Sequence, residues 1–124
     1  MSEIPEHLSY TAEHEWVKLG ELTSVGITAF AVEELGEIVF VELPGVGDMV
    51  AEGTPCGEVE STKAVSEIYA PMNGEIIEVN ELLESSPEIL GQDPYGEGWL
   101  FKMKTDGGEY ALLDAAGYRS LIAN

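Results

Sequence analysis

Gly57-Glu58-Val59-Glu60-Ser61-Thr62-Lys63-Ala64-Val65-Ser66-Glu67-Ile68-Tyr69-Ala70-Pro71 is the stretch that decides how this chain folds. Two strand-like runs, Gly57–Ser61 and Ala64–Tyr69, are joined by Ser61-Thr62-Lys63-Ala64 as a reversal. Val59 and Ile68 fall at inward positions, which predicts a hairpin with one apolar face. Small residues flank Lys63, so its stem is unobstructed and its amine stands in water. No other basic residue lies between Lys18 and Lys102. An exposed lysine in a turn is ordinarily a solvated surface group, so the neighbouring sequence must decide what this one does.

Working outward, more short strand-like runs recur between Gly, Pro and Asn punctuation: His14–Leu19, Leu22–Ile27, Ile38–Leu43, Glu75–Val79 and Trp99–Lys104. Asn73-Gly74 is the strongest short turn signal in the chain. Thr28 is placed to cap a helix over Ala29–Leu35 that stops at Gly36. Ser86-Pro87 opens a brief turn that ends at Gly91. Leu112, Leu113, Ala116 and Leu121 recur at roughly helical spacing and predict a C-terminal helix over about 110–122. Gly36-Glu37-Ile38-Val39-Phe40-Val41 resembles Gly74-Glu75-Ile76-Ile77-Glu78-Val79, one copy on each side of the lysine run. A duplicated, two-fold-related β sandwich produces such a pair.

The bulk properties exclude several function classes. The chain has 124 residues, enough for one domain, 1–124, with a core that needs no disulfide or metal. Its 24 Asp+Glu against 5 Lys+Arg give a net charge of -19. That charge argues against nucleic acid and against anionic membrane surfaces, both of which select clustered cations. It suits solubility, steering toward basic partners, or a salty cytoplasm. One cysteine, Cys56, rules out an internal disulfide and fits a reducing compartment. The N-terminal residues carry neither a signal-peptide nor a transit-peptide pattern, and no apolar run reaches the ~20 residues of a membrane span. The expected setting is the cytoplasm.

Cys56 with His7 or His14 does not make a convincing nucleophilic site, because thiolate chemistry needs an electropositive surrounding and this chain is acidic on nearly every side. Cys56 reads as a small buried hydrophobe. The histidines lack metal-ligand spacing with any cysteine cluster, so no metal is expected.

Glu60-Ser61-Thr62-Lys63-Ala64, followed by Ser66, Ile68, Pro71 and Gly74, resembles the lipoyl-lysine hairpin of glycine cleavage system H proteins. The likeness continues in His14-Glu15-Trp16, Val25-Gly26-Ile27-Thr28 and Leu35-Gly36-Glu37-Ile38-Val39-Phe40-Val41-Glu42-Leu43-Pro44. Val79-Asn80 and Pro94-Tyr95-Gly96-Glu97-Gly98-Trp99 extend it, in family order, over Tyr10 to Tyr118. Thr62, Asn73 and Gly91 depart from the residues usual in the family, which touches loop detail rather than the acceptor lysine.

The resemblance implies a mainly β, flattened barrel or sandwich of the lipoyl-domain type with short peripheral helices and a lysine hairpin over about 57–70. It implies a carrier and not an enzyme, with (R)-lipoate joined by an amide to Lys63 and no catalytic residue of its own. The aminomethyl group would come from a pyridoxal-phosphate glycine decarboxylase and pass to a tetrahydrofolate-dependent aminomethyltransferase. A flavin (FAD) dihydrolipoyl dehydrogenase would then reoxidise the dithiol, and a separate enzyme would attach the lipoate to what is expected to be a monomer. Glu15 and Glu67 become candidate contacts for the loaded arm. The alternative is a lipoyl or biotin carrier domain of another multienzyme complex. Biotin acceptors typically flank the lysine with methionines, where this chain has Thr62 and Ala64. Lipoyl domains of acyltransferases usually put aspartate before it.

Overall fold

The threonine and glycine that bracket 29–35 do what their chemistry dictates. Thr28 Oγ1 accepts a hydrogen bond from the Ala31 N–H at 3.2 Å, and Gly36, at φ 85°, ends the helix with its own N–H on the Val32 carbonyl. A computed structural model describes residues 3–108 and 110–123. The elements run β1 (Ser9–Tyr10), β2 (Glu15–Lys18), β3 (Thr23–Ile27), α1 (Ala29–Leu35), β4 (Ile38–Glu42), β5 (Met49–Val50) and β6 (Pro55–Ser61). They continue with β7 (Val65–Tyr69), β8 (Gly74–Val79), α2 (Leu82–Ser85), α3 (Glu88–Gln92), β9 (Phe101–Thr105) and α4 (Ala115–Ile122).

The strands form two open sheets rather than a closed barrel: a six-stranded one, in the order β1-β2-β3-β9-β8-β5, and a three-stranded one, β4-β6-β7. Every pairing is antiparallel. Alternation along each strand turns Val17, Val25, Phe101 and Met103 from the large sheet toward Val41, Val59 and Ile68 from the small one, in one buried cluster. Burying each such side chain contributes roughly 1.5–3 kcal/mol. The mainly β architecture with short helices is the one the sequence predicts.

The two similar hexapeptides lie in different sheets, β4 in the small and β8 in the large. Their ladders are disturbed at the same place in the repeat, between Ile38 and Phe40 in one and between Ile76 and Glu78 in the other. The likeness is therefore one of backbone as well as side chain.

The C-terminal segment differs from the helix expected over 110–122. Leu113 is extended and exchanges both backbone hydrogen bonds with Tyr10, at 2.7 and 2.8 Å. Asp114 then caps α4, its carboxylate accepting from the Gly117 N–H at 2.7 Å. Pairing with β1 satisfies backbone groups that a helix from 110 would have satisfied internally. From there α4 lays Tyr118 onto Tyr10, rings stacked at 4.7 Å, in a second apolar cluster with Trp16 and Ala115. Among the described residues no helix is long and apolar enough to cross a membrane.

Candidate functional site

Strands β6 and β7 make the predicted hairpin, in register from Gly57↔Ile68 to Glu60↔Val65. Its tip is held by one side chain and one crossing bond. Ser61 Oγ accepts from the N–H groups of Lys63 (3.3 Å) and Ala64 (3.1 Å), and the Ser61 N–H donates to the Ala64 carbonyl at 2.8 Å. The Thr62 N–H donates to the Glu37 carbonyl at 3.0 Å, which fastens the tip to the residue before β4. Lys63 is exposed at that tip. Its stem passes close to Gly36, where an added β-carbon would sit 3.5 Å from Lys63 Cε. The left-handed φ of Gly36 suits glycine in any case.

Beside the returning strand lies a cleft of about 250 Å³. Ile27, Val59 and Ile68 supply an apolar floor, α1 supplies Phe30 and Glu34 one helical turn apart, and Glu13 and Glu67 stand on the rim. His14 enters it from a backbone with φ 72°, the single non-glycine residue with positive φ among those described. Its ring lies 5.1 Å from that of Phe30, and its Nδ1 shares a 2.8 Å hydrogen bond with the Tyr118 hydroxyl. That hydroxyl also lies 2.7 Å from Thr28 Oγ1, so α4, the His14 turn and the start of α1 meet at one oxygen. Burial holds the His14 ring below the usual imidazole range, against the opposing pull of Glu13 and Glu34.

Of the sequence-predicted residues, Lys63 and Glu67 are exposed, and Glu15 is not. Glu15 is 1% exposed at the base of the cleft. Its carboxylate accepts from Thr11 Oγ1 at 2.7 Å and from the Tyr69 N–H at 3.1 Å. Burial pushes its pKa up to about 7, although the two hydrogen bonds pull the other way. Cys56 is partly buried, and burial, then the charge of Glu15, pushes its thiol up to about 12. Among the described residues no group of His, Cys, Asp or Glu is arranged to hold a metal ion. Sequence reasoning missed Glu13, Phe30 and Glu34; the helical spacing of the last two, next to His14-Glu15, was the available signal.

A two-sheet β body that holds a single amine on a pinned hairpin, next to an acid-rimmed cleft, defines a display domain, in which one side chain is presented to other molecules. Comparison with known proteins is specific. The family model described as glycine cleavage H-protein matches residues 8–123. Proteins named glycine cleavage system H protein from Shewanella oneidensis (55% identical, 98% of each chain) and Beutenbergia cavernae (52% identical, 97% of each chain) are similar along their whole lengths. A crystal structure of a glycine cleavage system H protein from Mycobacterium marinum superposes with a TM-score of 0.93 at 44% identity, covering 98% of this chain and 100% of that one. The chain belongs to the glycine cleavage H-protein family.

Proposed function

We propose that this chain is the lipoyl-carrying shuttle of a glycine cleavage system, one carrier domain without catalytic activity of its own, working as a monomer in the cytoplasm. The observation that carries the reading is Lys63, exposed on a tip pinned by Ser61 and Glu37, in a chain whose family match runs from residue 8 to 123. An exposed amine with small neighbours fits a long acyl group, because nothing beside it has to move when the amide forms. Lipoate bound there supplies a disulfide ring that takes up an aminomethyl group and two electrons. The partners are the pyridoxal-phosphate glycine decarboxylase, the tetrahydrofolate-dependent aminomethyltransferase, the FAD-dependent dihydrolipoyl dehydrogenase and the enzyme that attaches lipoate.

The chain's own residues bind and orient. Glu67, Glu13 and Glu34 give the cleft a negative rim that attracts a cation, while Ile27, Val59 and Ile68 keep water from its floor. Glu15 stands beneath that rim and acts through structure, because both of its oxygens are engaged with Thr11 and Tyr69.

Intact mass and glycine-cleavage assays of the wild type and Lys63→Arg, both from a lipoate-competent host, test the proposal. The wild type gains one lipoyl group and supports turnover, and the variant does neither. Full carrier activity in Lys63→Arg overturns it.

A further inference from the structure

The outer face of the small sheet carries a pattern that the core does not explain and that shares only Glu67 with the cleft. Inward-pointing Val41 and Val59 are buried, so their neighbours face out: Phe40 and Glu42 on β4, Glu58 and Glu60 on β6, Val65 and Glu67 on β7. Pairing sets them in two rows, Phe40–Glu60–Val65 beside the hairpin tip and Glu42–Glu58–Glu67 behind it. The second row places three carboxylates directly opposite one another, at strand spacings of ~4.8 Å. Like charges so placed weaken a sheet. Among the described residues the two ion pairs are Lys102–Glu78 and Arg119–Glu6, and neither lies on this face. Phe40 (47%) and Val65 (61%) are exposed apolar groups on either side of Glu60. Behind them the face opens into a groove of about 560 Å³, with Leu43, Val50 and Cys56 in its lining and Glu42, Glu58 and Glu67 along it.

We propose that this face, Phe40 and Val65 set among Glu42, Glu58 and Glu67, is the docking surface for the enzyme that acylates Lys63, and that the enzyme meets it with basic side chains around an apolar socket. The inference deepens the carrier reading and rests on it. Charge complementarity specifies a cationic partner. Position selects the acylating enzyme, which must close on Nζ itself and therefore cover the hairpin. Enzymes that use the finished arm meet its far end instead. In that step the deprotonated Nζ attacks the carboxyl carbon of lipoyl adenylate, the C–N bond forms, the C–O bond to AMP breaks, and AMP and one proton leave.

The test measures acylation of the unlipoylated full chain by an ATP-dependent lipoate ligase with lipoate, followed by intact mass. The variants are Phe40→Ser/Val65→Ser, Glu42→Gln/Glu58→Gln, and a charge-matched control on other surfaces, Glu21→Gln/Glu84→Gln. Thermal melts check that each is folded. The face variants raise KM about tenfold with little change in kcat, and the control stays at the wild-type value. Wild-type KM in both face variants overturns the docking surface and leaves the carrier reading standing. So does a rise in KM that is confined to the decarboxylase when the lipoylated variants are used. A wild-type chain that the ligase never acylates at Lys63 overturns both.

Discussion

The side chain of Glu15 reaches across 54 residues of sequence to accept the Tyr69 N–H at 3.1 Å. Glu15 begins β2 in the large sheet, and Tyr69 ends β7, the second strand of the lysine hairpin. One carboxyl group therefore joins the two layers behind the hairpin, from a position that water does not reach.

That position makes stability depend on pH in a definite direction. The folded state holds the Glu15 proton up to about 7, against a reference of 4.5, so between these values it binds more protons than the unfolded chain. The resulting stabilisation is fully present below 4.5 and is lost as pH rises through about 7. It is on the order of 3 kcal/mol. Urea denaturation of the wild type and Glu15→Gln at a series of pH values reads it directly. The variant gains on the wild type by that amount as pH rises across the window, and parallel curves would refute the assignment.

Tyr118→Phe removes the oxygen at which His14 and Thr28 meet. Losing a partner at a buried polar group costs about 1–3 kcal/mol, while the stack on Tyr10 is kept. The expected outcome is a lower urea midpoint with faster amide exchange in the first turn of α1, where Thr28 is the cap. Exchange that is unchanged at Ala31 and Val32 would show that the hydroxyl does not support the cap.

Gly26→Ala tests how closely β3 meets its neighbour. A β-carbon at Gly26 would overlap the Trp16 indole, and that ring also donates through Nε1 to the Pro94 carbonyl at 2.8 Å. Overpacking together with the lost bond costs about 3 kcal/mol. Tryptophan fluorescence and the melting temperature should both move, and a wild-type melt would contradict the contact.

Salt distinguishes docking from mere solubility as the use of the -19 charge. The KM of the lipoylated chain with its decarboxylase should rise between ~0.05 M and ~0.5 M salt as docking charges are screened. A flat profile assigns the acidity to solubility or a saline habitat instead.

Where local chemistry was decisive, the sequence was readable. Thr28 and Gly36 bracket their helix because a hydroxyl cap and a left-handed glycine act within one turn. The 57–70 hairpin was readable because apolar alternation and a small-residue reversal coincide. Leu112 and Leu113 were misread because apolar spacing looks alike in a short helix and in an extended segment; the partner that decides, Tyr10, lies at the other end of the chain. The cap that starts α4, Asp114, was not singled out in the sequence. The two-residue strands β1 and β5 are too short to show any period. For Glu15, no local pattern shows that a carboxylate beside a histidine is buried, because its burial depends on Tyr69.

The bond from the Thr62 N–H to the Glu37 carbonyl has a mechanical consequence. With the loop lashed to the start of β4, the lysine backbone is a stationary fulcrum. A group carried on that amine sweeps a dome whose centre stays put and whose radius is set by rotatable side-chain bonds alone. Reach is then a property of the boom, and any larger journey between active sites has to be made by moving the whole crane.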